Sequence, residues 1–489
     1  MHSHKRFALT AFLLCALFVN GAVARQPALA TDPIEQASAR LVGSILVNGY
    51  SMDYLRGLTD QFGGRLTGSA AYQRAAEWAA EQFRAAGIKN VKLEPWAMPS
   101  GWERGWARGR MTKPLDRPLH IQSLGWAPST PPGGVTAEVI IFSDLDPKKI
   151  KAQADKLKGR AVMLDLATIF ADGFSAFAKL IDALPLFKEI GTAAIIVSDG
   201  ERNNVLNAFG FTWGGQMSPL PIAQVGMEDG KLIERLLAKG PVTIEFAYEN
   251  KTSGPMQVNN VIAEIPGREK PDEWIIIGAH LDSWDYGTGA QDNGSGCAMV
   301  LEAARALAAM SPPRRSIRFA LWGGEEEGLL GSAAYVKAHK AELGLCVAAL
   351  NTDNGAGHPK GWKLEGRKDL AEAMTTISNS LLEGLGASGR SQETTFDTDH
   401  GHFMLEGIPA LDLWVDMSHY GEIHHKSSDT IDKVDAHSLA AGAAVIAVTA
   451  YAIAERPEPI APRIDRAAVT EILKKAKLDG FLKAIGLWN

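Results

Sequence analysis

Three side chains that can bind a metal ion follow one short apolar stretch of the sequence. Residues 274–278 predict a buried strand, and His280 and Asp282 come directly after it. A glycine-rich loop then brings Asp292 in front of the next helical pattern. Imidazole is a good zinc ligand, and a carboxylate two residues away can hold the ring and fix its tautomer. The stretch therefore indicates a metal site at a strand end, although hydrogen bonds alone could also satisfy such residues.

Three further apolar runs lead into ionisable residues in the same way. Residues 318–322 precede Glu325, Glu326 and Glu327, residues 346–350 precede Asp353, and residues 409–415 precede His424, His425 and Asp429. Carboxylates crowded between glycines at a strand end are costly unless a cation compensates them. A solvated acidic turn is the alternative for the three glutamates. Because four apolar runs are each followed by ionisable residues, the sequence favours a metal site over a solvated turn.

The order and spacing of these residues resemble a known family. The sequence is similar to the co-catalytic di-zinc aminopeptidases, in particular to their plasma glutamate carboxypeptidase (carboxypeptidase Q) branch, and more distantly to glutamate carboxypeptidase and the transferrin receptor. The residues that match are His280, Asp282, Asp292, Glu325, Glu326, Asp353, Asp399, His400, Phe403, His425, Asp429 and Thr430. The resemblance covers most of the chain after its N-terminal segment.

This resemblance implies a centre of two Zn²⁺ ions. Asp292 would bridge the two ions. His280 and Asp353 would complete one site, and Glu326 and His425 would complete the other. One histidine and carboxylates at each ion leave a position for a shared water.

The adjacent Glu325 is expected to be the general base. A carboxylate beside a metal-activated water can take its proton and pass it to the leaving amine. Asp282 is expected to orient His280 and to raise its basicity, and both Glu325 and Asp282 are thus predicted as catalytic.

Three more residues are candidates for contact with substrate. His424 could hydrogen-bond the developing oxyanion, and an ordinary loop histidine is the alternative. Asp399 and His400 could support the ligands from behind or recognise a substrate terminus. Neither is predicted to bind metal.

The strand and helix patterns predict an α/β fold of three α/β/α layers with a mixed, mostly parallel central sheet. A proline-rich linker lies at residues 128–134, and the sequence after it changes to a series of strand patterns. This stretch resembles an inserted, smaller β-rich protease-associated domain. This insert is interpreted as a lid or a wall that restricts substrate, or as a purely structural element. The predicted divisions are a signal peptide at 1–24, the N-terminal part of the peptidase domain at 25–127, the insert at 128–250, the main part of the peptidase domain at 251–458 and a helical tail at 459–489.

The N-terminal segment is typical of a secretory signal peptide. Lys5 and Arg6 precede an apolar core at 7–19, and small residues at 22–24 predict cleavage before Arg25. The core is short for a membrane span, so we expect a soluble secreted or periplasmic protein. Loss of the two basic residues changes the formal charge from −6 to −8. Nothing in that charge suggests nucleic-acid or membrane partners.

Cys297 and Cys346 are the two cysteines beyond the signal peptide. Both lie in apolar elements, so buried thiols are expected, and an oxidising compartment would also allow one disulfide. The tail at 461–489 has loose helical spacing and could pack on the core or serve assembly, for which a homodimer is one option.

The leading functional hypothesis is a zinc exopeptidase that splits dipeptides or removes N-terminal residues from a peptide substrate. One alternative is a glutaminyl-peptide cyclotransferase, a related fold with a single zinc. Another is a non-catalytic binding protein of the transferrin-receptor type. The intact set of two histidines and three carboxylates favours the two-metal enzyme.

Overall fold

The computed structural model describes residues 32–165, 175–198 and 202–488 of the chain. The predicted signal peptide, residues 1–24, lies outside the described residues.

Eighteen strands are defined within the described residues. In chain order they are β1 (Asn90–Met98), β2 (Gly101–Glu103), β3 (Ala107–Lys113), β4 (Arg117–Pro118), β5 (Ile121–Ser123), β6 (Val135–Phe142), β7 (Ala161–Leu164), β8 (Ala194–Ser198), β9 (Ile222–Val225), β10 (Thr243–Tyr248), β11 (Lys251–Ser253), β12 (Met256–Ile265), β13 (Lys270–His280), β14 (Arg315–Trp322), β15 (Cys346–Asn351), β16 (Pro359–Lys363), β17 (Gly389–Ser391) and β18 (Ala410–Val415).

The α-helices of the described residues connect and cover these strands. They are α1 (Pro33–Asn48), α2 (Ser51–Phe62), α3 (Ala70–Ala85), α4 (Pro147–Ala152), α5 (Ala154–Leu157), α6 (Ser175–Ile190), α7 (Met227–Leu237), α8 (Ser295–Ala308), α9 (Leu330–Ala338), α10 (Lys368–Ala373), α11 (His400–Leu405), α12 (Ala436–Glu455), α13 (Arg466–Ala476) and α14 (Asp479–Ala484).

The central sheet has the strand order β1-β12-β14-β13-β15-β18-β16-β17. Its middle strands β14, β13, β15 and β18 are parallel neighbours, and they are the four apolar runs that the sequence singles out. The register places His280 beside Trp322 and Gly278 beside Asn351. All four strands therefore end at one edge of the sheet, which brings the residues that follow them together.

Helices cover both faces of this sheet. Side chains of β13 alternate, so that Ile275 and Ile277 join one core cluster and Trp274 and Ile276 join another. Helices α3, α8 and α12 pack on the first face, whereas α9 and α11 lie on the second. The predicted three-layer α/β/α architecture with its mixed sheet is confirmed.

Helix α12 is long and apolar enough to cross a membrane, but 83% of its apolar window is buried inside the protein. Asp435 caps it by accepting a hydrogen bond from the Ser438 amide. The helix packs against α1, α8 and the sheet, so its composition is explained by its place in the core.

A second eight-stranded sheet, of order β4-β3-β10-β6-β7-β8-β9-β5, forms a separate unit with its own apolar core. We call this unit, residues 107–248, the insert. Its strands β6 to β9 are parallel; helices α4 to α6 lie between them along the chain, and α7 connects β9 to β10. Strands β3, β4 and β5 precede residue 128 and still belong to this sheet, since β3 pairs with β10 and β5 pairs with β9.

The C-terminal tail packs on the protein rather than extending from it. Val469 and Leu473 of α13, together with Leu482 of α14, bury their side chains against Phe396 and Met404. The tail also contacts helix α6 of the insert. Cys297 and Cys346 are buried free thiols, so they form no disulfide.

Candidate metal centre

Asp292 stands at the middle of the predicted ligand set. It lies in the irregular turn Ala290–Gly294, which precedes α8. Its Oδ1 is 3.2 Å from His280 Nε2, and its Oδ2 is 3.2 Å from His425 Nε2. Burial alone would raise the pKa of Asp292, but the hydrogen bonds with the two histidines outweigh it and hold the pKa well below its usual range. One carboxylate thus faces a histidine on each side, as a bridging ligand does.

His280 and Asp353 form one side of the centre, which we call the His280 side. His280 is the last residue of β13, and its Nε2 is 2.9 Å from Asp353 Oδ1. The other ring nitrogen, Nδ1, is 3.0 Å from the carbonyl oxygen of Asp282. That hydrogen bond places the proton on Nδ1 and turns the lone pair of Nε2 towards the carboxylates.

Glu326 and His425 form the other side, which we call the His425 side. His425 Nε2 is 3.0 Å from Glu326 Oε2. Burial would lower the pKa of His425, but the negative charge of Glu326 and the hydrogen bonds to it and to Asp292 raise it to about 10. The five predicted ligands therefore surround a single small volume.

His424 also faces this volume. Its ring stacks on His425 at 3.7 Å, and its Nε2 is 3.4 Å from Asp292 Oδ2. Burial and the neighbouring His425 lower the pKa of His424 to about 4. Its side chain is 42% exposed, compared with 22% for His425. Of the two histidines, His424 is therefore the one more open to solvent.

Asp429 fixes the turn that carries Asp292. Its carboxylate accepts hydrogen bonds from the amides of Gln291 at 2.7 Å and Asp292 at 3.1 Å, while its carbonyl oxygen accepts from Thr288. Burial raises the pKa of Asp429 to about 7, although these amide hydrogen bonds oppose the rise. The conformation of the turn thus depends on a residue from the His425 loop.

Arg65 is a buried residue that supports the His280 side. Its guanidinium donates to four carbonyl oxygens within 3.0 Å, those of Gly63, Leu281, Thr288 and Gly289. Burial lowers the pKa of Arg65, and the carboxylates of Asp429, Asp282 and Asp292 partly offset this effect. The side chain holds both ends of the loop between His280 and Asp292.

The Asp282 carboxylate connects the two sides. Its Oδ2 accepts hydrogen bonds from the Thr67 hydroxyl at 2.9 Å and from the Glu326 amide at 3.2 Å. The Thr67 oxygen in turn accepts from the Gly324 amide at 3.0 Å. The carboxylate lies farther from His280 Nδ1, at 3.6 Å, than the Asp282 carbonyl does. Its hydrogen bonds therefore position the turn before Glu326 as well as the region of His280.

Glu325 is half-buried at the same edge. Burial raises its pKa well above the usual range, and the charges of Asp353, Glu326 and Asp399 raise it further, while His280 opposes them. A carboxylate with a raised pKa near His280 is suited to accept and return a proton.

Asp399 and His400 begin helix α11, behind the ligands. Asp399 is 1% exposed, and burial raises its pKa to about 7. The His400 ring faces Glu365, with Nε2 3.3 Å from Oε1. Burial would lower the pKa of His400, but Glu365 raises it to about 9. The structure thus brings Asp399 near the centre and directs His400 towards Glu365.

Tyr420 is a candidate that the sequence reasoning missed. Its ring centroid lies 4.9 Å from that of His424. Burial and the charges of Asp292 and Asp353 raise the pKa of its hydroxyl well above the usual range, which keeps it protonated and able to donate a hydrogen bond. In the sequence, only its position four residues before His424 could have indicated that Tyr420 lies near the site.

The donor set fits zinc. Two imidazole Nε2 atoms and three carboxylates converge, and Glu326 Oε1 is buried without a hydrogen-bond partner among the described residues. Two overlapping groups can hold an ion, one of His280, Asp292 and Asp353 and one of Asp292, His424 and His425. Buried carboxylates left without donors are costly unless a cation compensates them.

Comparison with known proteins agrees with this arrangement. Residues 260–450 match the model of Peptidase family M28. Carboxypeptidase Q of Mus musculus is 29% identical over 409 residues, which cover 82% of this chain and 85% of the relative. A Peptidase M28 precursor from Shewanella amazonensis SB2B has a TM-score of 0.77 and 28% identity over 88% of this chain and 99% of its own.

A third similarity extends only to the fold. BSAP, a zinc aminopeptidase from Bacillus subtilis, has a TM-score of 0.65 and 22% identity over 85% of this chain and 96% of its own. Fold and site thus resemble those of the M28 peptidases, whose family model matches residues 260–450. Among the curated relatives the chain is similar to carboxypeptidase Q, as its motifs predict.

Proposed function

We propose that this chain is an exported metallo-exopeptidase with two zinc ions, which hydrolyses dipeptides or releases the N-terminal residues of peptides. The observation that carries the proposal is the position of Asp292, whose two oxygens each lie 3.2 Å from a histidine Nε2 on opposite sides. The names of its relatives, carboxypeptidase Q and a zinc aminopeptidase, support the reaction and the metal.

His280, Asp353 and Asp292 would hold one ion, and Asp292, Glu326 and His425 would hold the other. When bound, zinc polarises a peptide carbonyl and lowers the pKa of water. Asp282 keeps the Nδ1 proton of His280 engaged through its carbonyl oxygen, so that Nε2 remains a ligand.

Glu325 performs the proton transfer in this proposal. Its burial and its acidic neighbours raise its affinity for a proton. It takes one proton from the attacking water and returns it to the amine that leaves when the peptide bond breaks. His424 and the Tyr420 hydroxyl, both on partly exposed residues, are the groups available to hydrogen-bond the carbonyl oxygen.

The insert corresponds, in the same proposal, to a protease-associated domain, and cleavage of residues 1–24 releases the enzyme into the periplasm or the medium. The N-terminus of the exported protein, measured by mass spectrometry, tests the export. Arg25 as the first residue is the expected result, and an intact Met1 contradicts it.

Zinc content and substrate profile together test the activity. The purified protein should contain two zinc ions per chain and should cleave members of a dipeptide library, with activity lost on chelation and restored by zinc. A single zinc and cyclisation of N-terminal glutamine would instead indicate a glutaminyl-peptide cyclotransferase. Tight peptide binding with no turnover would indicate a non-catalytic binding protein.

A further inference from the structure

The metal ligand His425 has an unusual backbone conformation. Its φ is 60°, in the left-handed region that residues with a side chain seldom adopt. Such a conformation is strained and persists only where surrounding contacts impose it. Trp284 packs on one side of the His425 ring, with 6.0 Å between ring centroids. The backbone itself must be held by another contact.

That contact comes from the insert. The Ala208 amide donates a hydrogen bond of 2.6 Å to the carbonyl oxygen of His425, and Asn207 forms an antiparallel bridge with Lys426. Ala208 is fully buried. The insert thus binds the backbone of the ligand residue rather than its side chain, and it does so where the conformation is strained.

A second contact lies six residues later, on the Glu326 loop. The Gly214 amide donates a hydrogen bond of 2.8 Å to the Glu327 carbonyl oxygen. The Trp213 indole covers Gly328 so closely that a Cβ there would come within 2.6 Å of the ring. Gly328 has a φ of 121°, which also favours glycine. Residues 207–214, which we call the clamp segment, therefore span from one ligand loop to the other.

The rest of the insert and the C-terminal tail both hold the clamp segment in place. The carbonyl oxygen of Phe209 accepts a hydrogen bond from the Gly125 amide, and Phe211 is buried in the core of the insert. On the other side, Phe481 of the C-terminal tail packs edge-on against Trp213, with ring centroids 6.4 Å apart. The segment is thus fixed by a packed core at its middle and by the tail at its Trp213 end.

We propose that the clamp segment is a positioning element for the His425 side of the metal centre, and that it sets the affinity of that side for its ion. The proposal rests on the two-zinc function above. It follows from an asymmetry. Cys297 and Arg65 bond the backbones of His280 and Leu281 from within the unit of the central sheet, which we call the catalytic unit. The insert instead bonds the backbones of His425 and Glu327. Weakening the contacts of the clamp segment should therefore release the ion of the His425 side and leave that of the His280 side bound.

The first test removes the indole from Gly328. Trp213→Ala should weaken binding of the second zinc by about tenfold, which is the effect of losing contacts worth one or two hydrogen bonds, and should leave the first unchanged. Trp213→Phe retains an aromatic ring and should restore most of the affinity. Trp106→Ala is the matched control, since Trp106 directly precedes the insert, is 50% exposed and donates a hydrogen bond to Glu249.

The second test removes the hydrogen bond to His425. Ala208→Pro lacks the amide proton, whereas Ala208→Gly keeps it, so only the proline variant should lose affinity for the second ion. Thermal unfolding of the zinc-saturated and chelated forms identifies a variant that fails to fold. In that case the Trp213 series alone decides.

The readout is stepwise zinc binding by calorimetry, together with the visible spectrum of the protein titrated with Co²⁺. The proposal expects two steps in the unmodified protein and a change confined to one of them in the variants. Equal weakening of both steps, or no change in either, would overturn it. Failure of the proposed function appears differently, as fewer than two ions bound by the unmodified protein.

Discussion

The two sides of the metal centre differ in what holds them. On the His280 side, Arg65 donates to the Leu281 carbonyl and Cys297 donates to that of His280, so His280 and its neighbour are bonded from within the catalytic unit. On the His425 side, the ligand loops receive amide hydrogen bonds from Ala208 and Gly214 of the insert. In the proposed two-zinc centre, the His425 side would thus depend also on the insert, through the backbones of His425 and Glu327.

The largest loss of zinc affinity is expected from a change of Asp292, the residue that both sides of the centre share. Asp292→Asn removes the charge that faces both histidines, so affinity should fall by more than about a hundredfold at both ions. Zinc analysis after gel filtration measures this. Asp285→Asn is the control, because Asp285 lies in the same loop but pairs with Arg104. Retention of two ions by Asp292→Asn would show that this residue does not bridge.

The next effect concerns the support of the His280 side. Arg65→Met leaves four carbonyl oxygens without their donor, so we expect a loss of about 3 kcal/mol or more in the free energy of unfolding. Denaturant unfolding of the protein provides the measurement. Arg56→Met, which breaks only an exposed ion pair with Asp53, should cost less than about 1 kcal/mol. Equal losses in the two variants would contradict the role of Arg65.

A smaller loss of stability is expected from a change of Thr67, which bonds the Asp282 carboxylate between the two sides. Thr67→Val replaces the hydroxyl that donates to Asp282 and accepts from Gly324 with a methyl group of similar size. We expect a loss of about 1–3 kcal/mol in stability, because it leaves buried polar groups unpaired. Thr67→Ser keeps the hydroxyl and should recover most of the loss, and a serine variant as unstable as the valine one would refute this explanation.

Residues that follow apolar strands were predictable from the sequence. All five predicted ligands come from loops at the carboxyl ends of β13, β14, β15 and β18 or from the turns that follow, and the parallel register brings them together. The signal was local for His280, Glu326 and Asp353, which lie at a strand end or within a few residues of one. Asp292 lies twelve residues beyond β13, and His425 lies ten residues beyond β18.

Support from distant parts of the chain was not predictable. Arg65 and Leu281 are 216 residues apart, and the sequence around Arg65 fits an ordinary turn equally well. The clamp segment contains no ionisable residue, and it acts through backbone amides whose partners no pattern reveals. The place of strands β3 and β5 in the sheet of the insert was not predictable for the same reason. Their partners, β10 and β9, lie about a hundred residues later or more.

The central claim concerns the adjacent glutamates, where Glu325 transfers the proton and Glu326 holds metal. Glu325→Gln should retain two zinc ions while kcat falls by about a hundred- to ten-thousand-fold. Glu326→Gln should lose the ion of the His425 side, because it removes a charged ligand 3.0 Å from His425. Zinc stoichiometry and kcat measured on both variants decide the matter. Near-normal turnover by Glu325→Gln, or full zinc content in Glu326→Gln, would contradict the account.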